Sequence, residues 1–236
     1  LGKNNKRNRV FSRQAMDTGI PLVYVNNVGL QNNGKTVYTF DGFSTVYDGL
    51  GRIIAYCPPF TPALKVIDLD LATRGENLKP QAVPDDQGID TIYETLHYGV
   101  SKFLAQIGLE RVVVGISGGI DSAVAAALYV RVLGPEKVLL ANLPSVYNSS
   151  TTKGLAEEIA RNLGCLYAVV PIQEAVEYTV GQLSRTEIVS MKDGSVSHLA
   201  VTPFMTENIQ ARDRSTRVLA GLAAAFGGGF TCNANK

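Results

Sequence analysis

Cysteine is scarce in this chain. There are three among 236 residues, Cys57, Cys165 and Cys232, odd in number and far apart. No CxxC pair exists, so neither a zinc site nor a disulfide framework is expected. The usage fits a reducing compartment, and a cytoplasmic location is expected from it. Histidine is scarcer still: His97 and His198 stand in unrelated contexts, which excludes a His-rich metal site. No apolar run reaches the length of a membrane span, so no membrane partner is expected. The opening LGKNNKRNR is followed by no apolar core and does not read as a signal peptide. Formal net charge is +1, which leaves no footprint for nucleic acid or an anionic membrane. The rest is ordinary globular composition, 45% hydrophobic and 18% charged, enough for one large domain or two small ones.

Two textures follow each other along the chain. Residues 1–19 read as a basic, polar helix closed by Gly19. Lys6, Arg7 and Arg9 read as its solvated face. Then come short β runs: PLVYVNNVGL, TVYTF after a QNNGK turn, the alternating DGFSTVYD, RIIAYCPPF and a closing ALKVIDLDL. Cys57, at a strand end, reads as a small buried apolar residue. Residues 72–90, rich in charge and proline, read as a linker. Beyond it helices and strands alternate: helix 91–107, strand 111–116, helix 121–133, strand 137–143, helix 151–163, strand 165–170, helix 172–184. That alternation indicates βαβ units and a parallel sheet. VSMKDGSVSHLAVT reads as an irregular insertion or loop. TENIQARDRSTRVLAGLAAAF reads as one long helix with Arg212, Arg214 and Arg217 on one side, and GGGFTCNANK as the start of another strand and loop.

The stretch VVVGISGGIDSAVAAALYV, Val112–Val130, carries the chemistry. A β-branched run, a glycine turn and an alanine-rich helix in succession place backbone N–H groups around an anion. The turn is not a Walker A loop, because Gly119 is followed by Ile120 and Asp121 where Lys-Ser/Thr is needed, and the G-x-G-x-x-G spacing is absent. Gly118 and Gly119 permit close approach of a ligand. Ser117 and Ser122 bring hydroxyl donors. Asp121, at the helix start, reads either as a cap or as a Mg²⁺ holder. With no lysine to neutralise a γ-phosphate, the loop suits a nucleotide whose pyrophosphate is held and released at the helix N-terminus.

SGGIDS resembles the signature of the PP-loop ATP pyrophosphatases. Three further stretches are similar to the NAD synthetases among them: LPSVYNSSTTKGLAEEIARNLG (143–164), ENIQARDR (207–214) and CNANK (232–236). Upstream, GKNNKRNRVFSRQA, PLVYVNNVGLQ and FDGFSTVYDGLGRIIA resemble the C-terminal half of a nitrilase-type amidohydrolase domain, which glutamine-dependent NAD synthetases carry ahead of the synthetase. The resemblance implies an α/β fold class: a doubly wound parallel sheet of the PP-loop (adenine nucleotide alpha hydrolase-like) kind, preceded by the C-terminal half of a nitrilase-like α-β-β-α sandwich. Residues 1–71 would be the end of the glutaminase domain, 72–90 the linker, and 91–236 the N-terminal part of the synthetase domain.

The resemblance also implies the chemistry: amidation of deamido-NAD to NAD with ammonia from glutamine, driven by ATP. The ATP phosphates would lie on Gly115, Ile116, Ser117, Gly118, Gly119, Ile120, Asp121 and Ser122, with adenine near Leu143 and Asn233 also near ATP. Asn233 departs from the family's usual Thr. Mg²⁺ would be held in part by Asp121. Asn208 and Arg212 match positions that contact deamido-NAD. Lys3 matches a position that helps bind glutamine, beside its reading as a solvated lysine. Tyr147 reads equally as lining the nucleotide site or as packing. A homo-oligomer is implied. The glutaminase Glu-Lys-Cys triad would lie upstream of Leu1, so no catalytic member of it is expected here. The 236-residue chain by itself is therefore expected to catalyse neither half-reaction. Supplying it with ATP, deamido-NAD and either glutamine or ammonia checks this, and turnover at a normal rate would overturn it.

Overall fold

A computed structural model describes residues 3–34, 36–68, 70, 79–83, 88–145 and 150–233. Tyr147, most of the 72–90 linker and the last three residues of CNANK lie outside these. The chain divides into two compact units, 1–106 and 107–236.

In the first unit, α1 (Asn4–Thr18) ends where Gly19 takes a left-handed φ of 66°. Strands β1 (Leu22–Tyr24), β4 (Thr45–Tyr47) and β5 (Ile53–Tyr56) form an antiparallel sheet in the order β1-β4-β5. β2 (Val28–Asn32) and β3 (Val37–Asp41) form a separate hairpin. Phe11 of α1 packs its ring on Tyr24 and Tyr47. Arg7 is not part of a solvated face. Its guanidinium pairs with Asp41 at 3.2 Å and donates to the Tyr24 hydroxyl at 2.9 Å. ALKVIDLDL forms no strand over its described residues: Leu64 and Val66 stay exposed, while Ile67 packs on the core of Val46, Ile54 and Ala55. Alternation of apolar residues there matches a segment laid across a core without a ladder. Helix α2 (Ile89–Gln106) packs on β2 and β3. The linker-based boundary at 72–90 and the division at residue 106 thus differ by this helix.

The second unit is built on a parallel sheet. β6 (Val112–Gly115), β7 (Val138–Asn142), β8 (Leu166–Val169) and β11 (Gly229–Thr231) lie in the order β11-β6-β7-β8. Val112, Val113 and Val114 are all fully buried, as expected of a strand covered on both faces. Val113, Leu139, Ala141 and Leu143 share one face and pack with Val176, Val218, Leu219 and Ala223. These last come from α5 (Gln173–Arg185), a π-helical stretch Asp213–Leu219, and α7 (Ala220–Phe226). On the other face Val112, Val114, Val138 and Leu140 are fully buried, and α3 (Ile120–Leu133) and α4 (Ser150–Leu163) lie along the strands. Ala126, Ala156 and Ala160 let these helices sit close.

Two sequence expectations change here. VSMKDGSVSHLAVT is not irregular: β9 (Glu187–Val189) and β10 (Val196–His198) form a hairpin closed by hydrogen bonds between Ser190 and Ser195 and between Gly194 and Ser190. The long helix starts earlier, as α6 (Pro203–Arg212), with the Thr202 hydroxyl capping the Met205 N–H. Its middle is π-helical. The Ser215 and Thr216 hydroxyls both donate to the Arg212 carbonyl, at 3.3 and 2.6 Å, and compete with the ordinary backbone ladder.

The helix stops at Gly227 and turns at once into β11. Gly228 N–H bonds back to the Ala223 carbonyl and Gly229 N–H to the Arg111 carbonyl. A Cβ on Gly228 would overlap the Arg111 carbonyl oxygen, which is backbone and cannot yield without moving β6. Gly228→Ala is expected to lower stability by about 2 kcal/mol or more. Urea denaturation of the two proteins side by side measures it, and an unchanged midpoint would refute this account of the turn.

Candidate functional site

β6 is the first strand of its sheet. The chain proceeds from it to β7 and β8 on one side, then returns to place β11 on the other. The carboxyl ends of β6 and β11 therefore part at a topological switch point, where open α/β sheets form a crevice. A cleft of ≈ 520 Å³ lies there. Gly115, Ile116, Ser117, Asp121 and Ser122 line it from the end of β6. Ala141–Leu143 line it from β7, Phe230–Asn233 from β11, and Ala211, Arg214, Ser215 and Leu219 from the long helix.

The glycine loop is shaped by its own serines. Ser122 Oγ is buried, accepts the Ser117 N–H at 3.3 Å and donates to the Gly119 carbonyl at 2.9 Å. Ser117 Oγ lies 3.2 Å from Ser122 Oγ and accepts the Gly119 N–H at 3.2 Å. Gly118 turns the chain with φ 82°, and a Cβ on Gly119 would press on Ser117 Oγ. The two hydroxyls thus bond within the loop. Helix α3 then begins at an N-cap, Gly119, with no side-chain cap. Asp121 is not the cap. Its exposed carboxylate lines the cleft and has no protein partner among the described residues.

Of the residues singled out from sequence, Gly115, Ile116, Ser117, Asp121, Ser122, Leu143 and Asn233 meet at this cleft. Gly118, Gly119 and Ile120 belong to the loop but do not line the cleft, and the Ile120 side chain points to solvent. Asn208 and Arg212 pair with each other one helical turn apart, Arg212 Nη1 donating to Asn208 Oδ1 at 3.1 Å, and neither lines the cleft. Lys3 is exposed at the start of α1 in the first unit.

The three arginines of the long helix do not share a side. Arg212 is exposed, Arg217 is held by Asp213 at 2.6 and 2.8 Å, and Arg214 alone of the three turns into the cleft. Arg214 donates to the Leu143 carbonyl at 3.4 Å and to Ser145 Oγ at 3.5 Å. Burial pushes its guanidinium below the ordinary value, with Asp213 working in the opposite direction. An ordinary helical period does not single Arg214 out from Arg212 and Arg217. Nor does periodicity mark Thr231: its Oγ1 is buried at the cleft end of β11, with no hydrogen-bond partner among the described residues.

No group of three or more His, Cys, Asp or Glu with metal-site geometry occurs among the described residues. The donor set is one carboxylate beside open backbone N–H groups. That suits Mg²⁺ arriving on a phosphate, which needs one or two protein carboxylates at most.

A sequence model of the family described as NAD synthase matches residues 92–224. Curated relatives described as glutamine-dependent NAD(+) synthetase include those of Synechocystis sp., 33% identical over 239 residues, and Rhodobacter capsulatus, 31% identical over 239 residues. Each aligns with 100% of this chain, which spans only 39% and 40% of their length. Among solved structures, glutamine-dependent NAD+ synthetase from Acinetobacter baumannii in complex with ADP matches with TM-score 0.81 at 29% identity, over 100% of this chain and 42% of that one. NMN synthetase from Francisella tularensis matches with TM-score 0.54 at 25% identity, over 64% of this chain and 56% of its own.

The Ser122 staple makes a direct prediction. Ser122→Ala leaves the Ser117 N–H and the Gly119 carbonyl without their partner, and is expected to cost about 1–3 kcal/mol. Amide exchange at Ser117 should accelerate with it. Native-state hydrogen exchange checks both, and unchanged protection at Ser117 would show that the loop keeps its shape without the hydroxyl.

Proposed function

The chain belongs to the NAD synthase family, and on that premise we propose that its cleft binds ATP for the amidation of deamido-NAD to NAD. The observation that carries the reading is the uncapped start of α3 behind the glycine loop, opening into a cleft at the switch point of a parallel sheet. Backbone N–H groups there favour a polyphosphate. The ADP held by the Acinetobacter relative supports an adenine nucleotide as the occupant. The unpartnered Thr231 hydroxyl offers the substrate one further hydrogen bond.

The phosphates lie over Gly115–Ser122, with adenine at Leu143 and Asn233 beside the nucleotide. Mg²⁺ fits at Asp121 and would neutralise phosphate charge there. The nicotinate carboxylate of deamido-NAD attacks the α-phosphorus, and the bond to the bridging oxygen of pyrophosphate breaks. The N–H groups at the start of α3 stabilise the departing pyrophosphate. Ammonia nitrogen then attacks the activated carbonyl carbon, the carbon–oxygen bond to AMP breaks, and loss of a proton leaves the amide. Asn208 and Arg212, already bonded to each other, form the contact for deamido-NAD. The ammonia comes from glutamine, with Lys3 contributing to glutamine binding and the first unit belonging to a nitrilase-type glutaminase. Full-length alignment of this chain with relatives described as glutamine-dependent supports that part. We place the reaction in the cytoplasm, in a homo-oligomer.

In the protein that carries this chain with an intact glutaminase, Asp121→Ala is expected to abolish NAD formation and spare glutamine hydrolysis. Parallel assays of NAD and of glutamate production decide it. Unchanged NAD synthesis would remove Asp121 from the mechanism.

A further inference from the structure

A triphosphate brings several negative charges to a loop that contains no basic residue. From Gly115 to Ser122 the only charged side chain is Asp121, itself an anion. Mg²⁺ at Asp121 would offset part of that charge, and a protein cation at the cleft would offset more. Among the described residues lining the cleft there is one cation, Arg214.

Three features of Arg214 fit that task. It is part-buried, so its charge acts through protein more than through water. No carboxylate among the described residues takes it as an ion pair, because the adjacent Asp213 is spent on Arg217 in a two-bond fork. Its protein contacts are to neutral oxygens at 3.4 and 3.5 Å, which hold the side chain in place while leaving most of its five donors unused. An unpaired, partly desolvated guanidinium aimed into a cleft is costly unless an anion comes to it.

The helix geometry is arranged to aim it. In a regular α-helix, residues five apart diverge, so Arg214 and Leu219 would not share a face. Both line the cleft because they lie in the π-helical stretch, where hydrogen bonds run between residues five apart. Leu219 meets the base of the loop, its Cδ1 lying 3.3 Å from where a Cβ on Gly115 would stand. The same wide turn therefore seats Leu219 under the loop and brings Arg214 into its cleft.

We infer that Arg214 is a phosphate-binding cation of this site, supplied from the π-helical stretch across the cleft to a loop that has no lysine of its own. The ligand class is a di- or triphosphate anion, and the assignment rests on the nucleotide reading only for the identity of the attached base. A planar guanidinium grips two phosphate oxygens through a fixed fork, whereas a lysine ammonium acts as a compact point charge with freely rotating donors.

Isothermal titration with inorganic pyrophosphate, with ATP and with adenosine, each with Mg²⁺, tests it on the wild-type protein, Arg214→Gln and Arg214→Lys. Arg214→Gln is expected to weaken pyrophosphate and ATP by about tenfold to a hundredfold and adenosine by less than twofold. Arg214→Lys should fall between wild type and Arg214→Gln for both phosphates. If Arg214→Gln does not fold, Arg214→Lys carries the test, and pyrophosphate affinity equal to wild type overturns the assignment. Adenosine weakened as much as pyrophosphate also overturns it, making Arg214 part of the base pocket or a strut for Leu143. A wild-type protein that binds pyrophosphate but not ATP overturns the nucleotide reading and supports the anion site. Binding of neither ligand overturns both.

Discussion

The site depends on one constraint: the first N–H groups of α3 are left without a capping side chain. Helix N-termini in proteins are ordinarily capped by a Ser, Thr, Asp or Asn oxygen. Here the N-cap is Gly119, which has no side chain to offer, and the two nearby serines are turned onto the loop's own backbone. Ser122 acts as the keystone. Its hydroxyl accepts from Ser117 and donates to Gly119, closing the loop from inside. The first turn of α3 then meets the cleft at Asp121 and Ser122, where an anion can take the place of water on the open donors.

Charge is distributed around that opening by different elements, each for its own reason. The loop contributes N–H groups and one carboxylate, Asp121, which repels a bare phosphate and welcomes one carrying Mg²⁺. The opposing cation comes from a helix remote in sequence. A loop with its own lysine grips a triphosphate as a unit. A loop without one leaves the grip divided between two walls, which suits a reaction in which pyrophosphate must part from the rest of the nucleotide. The desolvation cost of seating Arg214 is partly offset by the Leu143 and Ser145 oxygens until the anion arrives.

Much of this was legible in the residues. The strand–glycine–helix stretch at 112–130 announces an anion site because a β-branched Val run favours a strand and the Gly-Gly pair after it favours a turn. The helices and strands expected between residues 111 and 185 fall within a residue or two of their places. What escaped has a common cause: it depends on contacts that periodicity does not encode. The β9–β10 hairpin carries a Asp193-Gly194 turn signal, but its strands are three residues long and solvent-exposed on every residue, so no apolar alternation marked them. The π-helical stretch arises from two adjacent hydroxyls competing for one carbonyl, and Ser-Thr pairs occur in many helices without that result. Arg7 was hidden because its partner, Asp41, is brought to it only by tertiary folding.

The far wall of the cleft rests on a turn that does not itself line the cleft. α7 gives way to β11 through Gly227 and Gly228, with the Arg111 carbonyl pressed against Gly228 where any side chain would stand. That contact sets the register of β11 on β6: Gly229 beside Val112, Phe230 beside Val113, Thr231 beside Val114. Successive residues of a strand face opposite ways, so a shift of one would exchange Phe230 and Thr231. The unpartnered Thr231 hydroxyl would leave its place and an aromatic ring would enter it. Because the same continuous helix also carries Arg214 and Leu219, displacing its end would move the cation as well. Close packing of one glycine against a strand carbonyl thus fixes two walls of the site together, and a site with so few charged groups has little tolerance for either being misplaced.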